Sequence, residues 1–415
     1  MEPPKTEEGG ESKSDQTSIT NFQKFRQNFV PPRPFDVTHV ITTAPTNFQV
    51  AGHLGFLSNG LGQCFKPINL GCARSRREHL FYQMVNYFRN CKNPDDINLY
   101  YKDFLLFINP DKICDCRIDP ETFKSITKIT PKFSCARHLF LESDHRGSTA
   151  ESLRKWIDQL YSENPRCPCY GTDPVAKKKC AVDFIPGNYI CLEDLQAHCK
   201  TACVMDIKLG RITYDPIANE QKILEQRTKY PRVRDFGFRI LGMKNDISTR
   251  DKSFGKSLQT QEQVFEGVES FFDALQSTAS KVVVIGRMLD RLEHILEWFE
   301  TKNNSQLRFY SSSLLFVYDS GVEVPDEEAT QEVLDQLKSS VRVSMIDFAH
   351  VFHSHDPPEG PSRSGSGTSI FTSGALNKDD NYLYGFRRLI KFFIMMNRQQ
   401  RTRLQKEMLA RPFLP

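Results

Sequence analysis

No stretch of this sequence approaches the ~18 uninterrupted apolar residues that a membrane-spanning helix needs. Its apolar blocks at 282–285 and 314–318 have only the size of buried strands. Residues 1–15 are charged and carry no apolar segment, so no secretory signal is expected. Cysteine is too sparse for a disulfide scaffold: twelve in 415 residues, expected as reduced thiols of the cytosol or nucleus. Neither sign of charge dominates. The 55 Lys and Arg against 51 Asp and Glu leave +4, too little to mark a nucleic-acid binder. No internal repeat is visible. Apolar residues, counting Gly but not Tyr, reach about 41%, below the usual ~45–50%. That deficit fits a globular core diluted by polar tails or insertions, and the length suggests two or three domains or lobes.

The charge that is present is unevenly placed. Residues 208–244 hold nine basic and four acidic residues, and residues 385–415 hold eight basic and one acidic. Two basic patches on a near-neutral chain suggest recognition of a polyanion at a site. Residues 1–33 are polar and read as a disordered tail. Patterned segments follow: strands at 48–53 and up to Lys66, then a helix over 76–88 with apolar residues at helical spacing. Short strand-like pieces at 105–108 and 132–133 lead to an expected insertion at about 137–178, with one helix near 150–161. Further strands are expected at 182–185, 188–192, 204–209, 309–318 and 341–348. Helices are expected after Asp215-Pro216, with Asp as cap and Pro in the first turn, and over 261–276, 280–301 and 380–405. The Pro-, Gly- and Ser-rich stretch 355–380 reads as a disordered loop.

Four clusters carry chemistry. In Met205-Asp206-Ile207-Lys208-Leu209-Gly210, strand periodicity projects Asp206 and Lys208 to one side. A carboxylate there can accept from ribose hydroxyls and an ammonium can hold a phosphoryl group. Ser344 to His350 delivers Asp347 at the end of an apolar strand, a usual place for a carboxylate that binds Mg2+ alongside substrate phosphates. Tyr310 to Tyr318 brings hydroxyls into an apolar strand. On the helix after Pro216, Lys222, Gln226 and Lys229 fall within about 60° of arc and form a cationic stripe able to grip several phosphates. Each cluster alone also reads as ordinary structure: a strand-face salt bridge, a turn-capping Asp, a plain strand start, a solvated helix face.

Taken together and in this order, they resemble the inositol polyphosphate kinase family. Its P-x-x-x-D-x-K-x-G hallmark stands here as residues 202–210, its S-L-L segment as Ser313-Leu314-Leu315, and its I-D-F segment as Ile346-Asp347-Phe348. Tyr214-Asp215-Pro216 through Lys222 to Lys229-Tyr230-Pro231 is similar to the multikinase branch of that family. The resemblance covers roughly residues 48–90 and 187–390.

It implies an α+β, two-lobed kinase-like fold: an antiparallel-sheet amino lobe over 34–192 and a mixed α/β carboxy lobe over 193–397, ending in a basic tail at 398–415. It implies ATP as co-substrate and Mg2+ as cofactor. Lys66 matches the lysine that contacts ATP phosphates, and Glu78 the helix glutamate that can pair with it. Backbone groups of Glu193 and Leu195 match the adenine-binding segment. Asp206 would hold the ribose, Lys208 the transferring phosphoryl or the inositol phosphate, and Asp347 the metal, supported by Ser313. Arg74, Lys222, Gln226, Lys229 and His350 would line the inositol phosphate pocket, with His350 near the accepting hydroxyl. The implied reaction is phosphorylation of inositol tris- and tetrakisphosphate on ring hydroxyls towards the pentakisphosphate, by a monomer of nucleus and cytoplasm without integral membrane association. Phosphoinositide headgroups and nuclear proteins are further partners that the resemblance leaves open.

Three departures stand against the pattern. Ala202 replaces the motif proline, Glu225 puts a carboxylate on the substrate helix where it would repel phosphate, and the insertion has no counterpart. An inositol-trisphosphate 3-kinase and a nuclear scaffold or transcriptional co-regulator are the alternative readings. A zinc module built on Cys114, Cys116, Cys167, Cys169, Cys180, Cys191, His198, Cys199 and Cys203 is a third. Its C-x-C spacing is not the C-x2–4-C of structural zinc sites. No H-R-D loop is present, so protein kinase activity is not suggested.

Overall fold

A computed structural model describes residues 36–37, 44–45, 57–58, 62–68, 72–90, 120–139, 187–215, 218–303, 306–324, 330–353 and 379–410. The strand expected at 48–53, the tail 1–33, nearly all of the 137–178 insertion and most of the 355–380 loop lie outside these residues.

Two sheets organise the described chain. The first has six strands: β1 (Asp36–Val37), β2 (Ala44–Pro45), β3 (Leu57–Ser58), β4 (Gln63–Ile68), β5 (Phe133–Leu139) and β6 (Gly187–Glu193), in the order β1-β5-β6-β4-β3-β2. It is antiparallel except at one edge, where β1 runs parallel to β5, a departure from the all-antiparallel sheet expected. Residues 137–139, placed in the insertion from sequence, complete β5.

The second sheet has five antiparallel strands. These are β7 (Ala202–Leu209), β8 (Phe238–Lys244), β9 (Thr249–Arg250), β11 (Ser313–Asp319) and β12 (Arg342–Ile346), ordered β12-β11-β7-β8-β9; β10 (Leu307–Phe309) pairs with β13 (Val351–His353) beside it. The D-x-K motif therefore lies on the middle strand. The strand expected over 309–318 is broken in two, because Ser311 turns the chain with a φ of 56°.

Helix α1 (Ala73–Asn90) packs its apolar face between the sheets: Phe81 stacks on Phe348 at 4.2 Å and meets Phe309 edge-on. Helix α2 (Pro120–Ile126) belongs by sequence to the first lobe yet bonds the second, where Trp298 donates its indole N–H to Thr122. One continuous apolar core results, running from Ile68 to Met396. The helix expected after Asp215-Pro216 starts later: α3 (Glu220–Lys229) is capped by Asn219, whose side chain accepts from Lys222 N–H. A capping Asn satisfies one of the orphaned N–H groups of the first turn, so the cap is not Asp215.

Short helices α4 (Val233–Phe236), α5 (Lys252–Ser257) and α6 (Gln261–Glu269) follow. Helix α6 stops at Glu269 and passes into a 3-10 turn, short of the extent expected. Helix α7 (Thr278–Glu297) ends in a π turn, and α8 (Gln331–Ser340) covers β11. The last helix, α9 (Asp380–Leu409), lies along α7 and ends four residues beyond the helix end expected at 405, within the basic stretch 398–415. Among the described residues, no helix is long and apolar enough to cross a membrane.

Candidate active site

Three distant segments meet at one cluster. Lys66 on β4 donates to Glu78 of α1 at 2.7 Å and to Asp347 at 2.6 Å. Asp347 follows β12 directly and turns out of the sheet with a φ of 63°. Left-handed backbone is uncommon outside Gly, and Asp and Asn tolerate it best. That turn lets a residue at the end of one sheet reach a lysine of the other. Glu78 also accepts from the Phe348 N–H at 3.3 Å, so the same carboxylate anchors the turn.

Asp206 and Lys208 sit behind this cluster on β7. Ser313 of β11 is in register with Lys208, and Arg239 of β8 pairs with it from the other side. Burial and the nearby Asp347 carboxylate push Asp206 up to about 7, while burial draws Lys208 down to about 8 against the pull of Asp347 and Asp206. Burial also works against the charge on Lys66, but Asp347 and Glu78 outweigh it and hold the ammonium above its usual range. Asp206 Oδ1 and the Ser312 hydroxyl are buried with no hydrogen-bond partner among the described residues, and the Ser313 hydroxyl stands against the Asp206 carboxylate, favouring its charged form. Orphaned buried oxygens are costly, and the arrangement suits a site completed by a ligand.

Asp206 provides a pH test. Its folded value lies above its ordinary 3.8, so the folded protein holds a proton that the unfolded chain has released. Its contribution to stability is full below about 4 and is lost as pH rises towards about 7. Asp206→Asn should therefore gain stability relative to the wild type across that window, read by thermal melts at several pH values; a constant difference would refute the buried carboxylate.

Beside the cluster lies a group of cations. Lys208 feels the charges of Arg239 and Lys229, and burial with Arg239 lowers Lys229. Gln226 accepts from Thr213 Oγ1 at 3.3 Å. Lys222 is not the free cation of the expected stripe. Its ammonium pairs with Glu225 at 3.1 Å, so this carboxylate neutralises one charge of that stripe instead of standing alone at the helix edge.

His350 Nδ1 lies 2.6 Å from Asp215 Oδ2, and burial keeps the imidazole below its usual value although Asp215 favours the cation. Arg77 and Arg74 lower it further, which places both cations beside this histidine. The buried Arg77 donates to the Ala349 carbonyl at 2.8 Å and lies over the Phe352 ring, fixing the segment that carries His350.

The segment expected to bind adenine is pinned at its backbone: Glu193 N–H donates to Lys132 O and Asp194 N–H to Gly62 O. Leu195 follows in the turn after β6. The site thus unites Lys66, Glu78, Asp206, Lys208, Ser313 and Asp347, with Lys229, His350 and Arg74 beside them. Sequence reasoning missed Asp215, Arg77 and Arg239. Asp215 was seen but read as a helix cap; Arg239 was signalled only by a cation alternating with apolar Phe238 and Ile240.

Of the proposed zinc ligands, Cys114, Cys116, Cys167, Cys169 and Cys180 lie outside the described residues. Cys191 and Cys203 are buried cysteines outside any disulfide and in separate places, one against Phe65 and Tyr189, the other within β7. Among the described residues no group of three His, Cys, Asp or Glu side chains could hold a metal ion.

The family model for inositol polyphosphate kinase matches residues 189–394. The mouse inositol polyphosphate multikinase is 37% identical over 152 residues, covering 35% of this chain and 37% of that protein. The fission yeast multikinase is 29% identical over 257 residues, 59% of this chain and 82% of that one. The mouse inositol hexakisphosphate kinase 3 is 27% identical over 222 residues, 49% of each. The chain spans about a third of the length of the mammalian multikinases it matches. A solved inositol phosphate multikinase of S. cerevisiae, in complex with ADP and Mn2+, is 24% identical with a TM-score of 0.38, over 50% of this chain and 84% of that one. Through residues 189–394 the chain belongs to the inositol polyphosphate kinase family, with the multikinases among its relatives.

Proposed function

We propose that this protein is an ATP- and Mg2+-dependent inositol polyphosphate kinase of multikinase type, phosphorylating the tris- and tetrakisphosphate on ring hydroxyls. The observation that carries the reading is the Lys66–Glu78–Asp347 cluster set against Asp206 and Lys208. The donor set fits a hard divalent cation: the half-buried carboxylate of Asp347 and the buried hydroxyl of Ser313, which is in register with Ile346 immediately before it. Mg2+ typically takes one or two carboxylates together with substrate phosphates. When bound, it supplies neutralisation of the charge on the transferring phosphates.

The chain's own residues do the rest. Lys66 is held by two carboxylates at the distance of a charge-assisted bond, ready to be shared with ATP phosphates. Asp206 offers its free oxygen to ribose hydroxyls. Backbone groups of Glu193 and Leu195 hold adenine. Lys208, Lys229 and Arg239 collect the phosphates of the inositol ring and keep the acceptor in line, the positioning that phosphoryl transfer mainly needs. His350, oriented by Asp215, stands at the accepting hydroxyl with an imidazole whose lowered value favours the neutral form. Incubation with ATP, Mg2+ and a panel of inositol phosphates, read by chromatography, tests the proposal; no phosphorylated product from any of them refutes it. Nucleus and cytoplasm as compartments, and a monomeric state, belong to the same proposal and are checked by microscopy and light scattering.

The Lys222–Glu225 pair bears on substrate choice. Glu225→Gln should release Lys222 and raise kcat/KM more for the tetrakisphosphate than for the trisphosphate. The gap should be a few-fold, since an exposed pair is worth only about 0.2–1 kcal/mol, and it should shrink with salt. Equal gains on both substrates would mean that Lys222 does not face the phosphates.

A further inference from the structure

The outer face of α9 has no role in the proposed catalysis, yet it is chemically distinctive. Arg387, Arg388, Lys391, Arg398 and Lys406 fall on one side of the helix, and along it the one acidic residue of α9 on that side is Asp380 at the amino-terminal end. The acidic groups near it are accounted for. Glu300 pairs with Arg387 across exposed surface, Asp380 lines the cleft at the amino-terminal end, where Arg211, Arg387, Arg388 and Lys391 outnumber it, and Glu407 faces away towards Thr278 and Arg403. Between and beyond the cations, Ile394 and Met395 are 46% and 47% exposed, and Met408 and Leu409 are 62% and 84% exposed. The opposite side, from Tyr382 to Met396, is buried in the core, so the stripe is held rigidly outward.

At its amino-terminal end the stripe opens into a cleft of about 710 Å3 that also takes Arg211. Arg211 and Arg388 lie over the same Tyr384 ring, at 4.5 and 5.6 Å, and Arg388 donates to its hydroxyl. Stacking of this kind fixes planar guanidinium groups before a ligand arrives.

We propose that this face of α9, with the cleft at its head, docks the protein on an anionic lipid membrane. The cations meet the lipid phosphates and carboxylates, the cleft seats one headgroup, and Ile394, Met395 and Leu409 enter the acyl boundary. A helix with cations and exposed apolar side chains on one outward face is the pattern of interfacial binding. A nucleic-acid duplex would satisfy the cations but would leave the apolar side chains in water, and an acidic protein would need carboxylate partners for only half of the face. The helix runs from Arg387 to Leu409, roughly 33 Å at 1.5 Å per residue, so several headgroups can be met at once.

The test is sedimentation of the full chain with vesicles of phosphatidylcholine alone or mixed with phosphatidylserine, and it does not depend on kinase activity. Binding is expected to the mixed vesicles only and should weaken with salt. Lys391→Glu with Arg398→Glu, both exposed, should lower the partition at least tenfold, since each cation near an anionic surface is worth about fivefold. Met395→Ser should lower it several-fold while leaving the salt dependence intact. Thermal melts confirm that the variants are folded. No binding to mixed vesicles, or binding untouched by the charge reversals, overturns the proposal. Loss with the charge reversals but none with Met395→Ser, together with competition by a nucleic-acid duplex, also overturns it in favour of a nucleic-acid surface.

Discussion

Lys208→Ala and Asp347→Asn are each expected to cut phosphoryl transfer by about 100- to 1,000-fold, the cost of losing one preorganised electrostatic group in a water-poor site. The two variants act on opposite charges of one cluster. Lys208 is a buried ammonium supported by Asp347 and Asp206, with Arg239 and Lys229 opposing its charge. Removing it leaves Asp206 with less compensation, so Lys208→Ala should also lower Tm.

Asp347→Asn should not. Asparagine adopts the left-handed backbone that position 347 requires, at a φ of 63°. It also relieves the carboxylate repulsion that helps push Asp206 up to about 7. The expected signature is lost turnover with an unchanged or raised melting temperature. Turnover near wild type in either variant, with the fold intact by circular dichroism, would dismiss the active-site assignment. A folded Asp347→Asn protein that melts far below the wild type would show that Asp347 mainly anchors Lys66.

The second large effect concerns Gly385, which has no chemistry of its own. Helix α9 crosses the chain at Gly237 so closely that a Cβ on Gly385 would overlap the Gly237 carbonyl oxygen and press on its Cα. Gly237 is itself left-handed, at a φ of 75°, and its carbonyl accepts from Gly210 N–H at 2.8 Å. No side-chain rotation can relieve a clash between backbones. Gly385→Ala must therefore lift α9 away from the sheet or push Gly237 off Gly210, two residues beyond Lys208.

Overpacking of this kind costs about 1–3 kcal/mol and more where nothing can yield, so in a chain of this length a Tm drop of roughly 2–5 °C is expected. Part of the loss should appear as activity, through Gly210. Gly286→Ala on α7 is the control, since a Cβ there meets nothing nearer than Asn397 Oδ1 at 4.0 Å. Alanine should then stabilise the helix by up to about 1 kcal/mol. If both substitutions shift Tm alike, the close crossing of α9 and Gly237 is not as tight as drawn.

The elements that local pattern specifies were readable from the amino acids. Apolar spacing located α1 and α9 and the period-2 run located β7, because a buried face imposes its period on the sequence whatever lies opposite. The motif residues Asp206, Lys208 and Asp347 were readable for a similar reason: each is a residue type at a fixed offset within its own strand segment, the first two on β7 and the third just after β12. The end of α6 at Glu269 and the break at Ser311 were not, since both are set by what packs against them.

Partners across the fold were decided by tertiary structure alone. Asp215 beside Pro216 looks like a helix cap in one dimension, but Asn219 takes that role and Asp215 is delivered to His350, 135 residues away. Glu225 looks like a lone repulsive charge until the helix turn brings it to Lys222. Arg239 becomes a cation of the site only because β8 pairs with β7 in the register that sets it beside Lys208. In each case the deciding quantity is a distance of a few ångströms between charges, and electrostatic and hydrogen-bond energies fall off over that same range. Spacing along a chain determines which residues an element presents; which charge each of them meets depends on packing between elements.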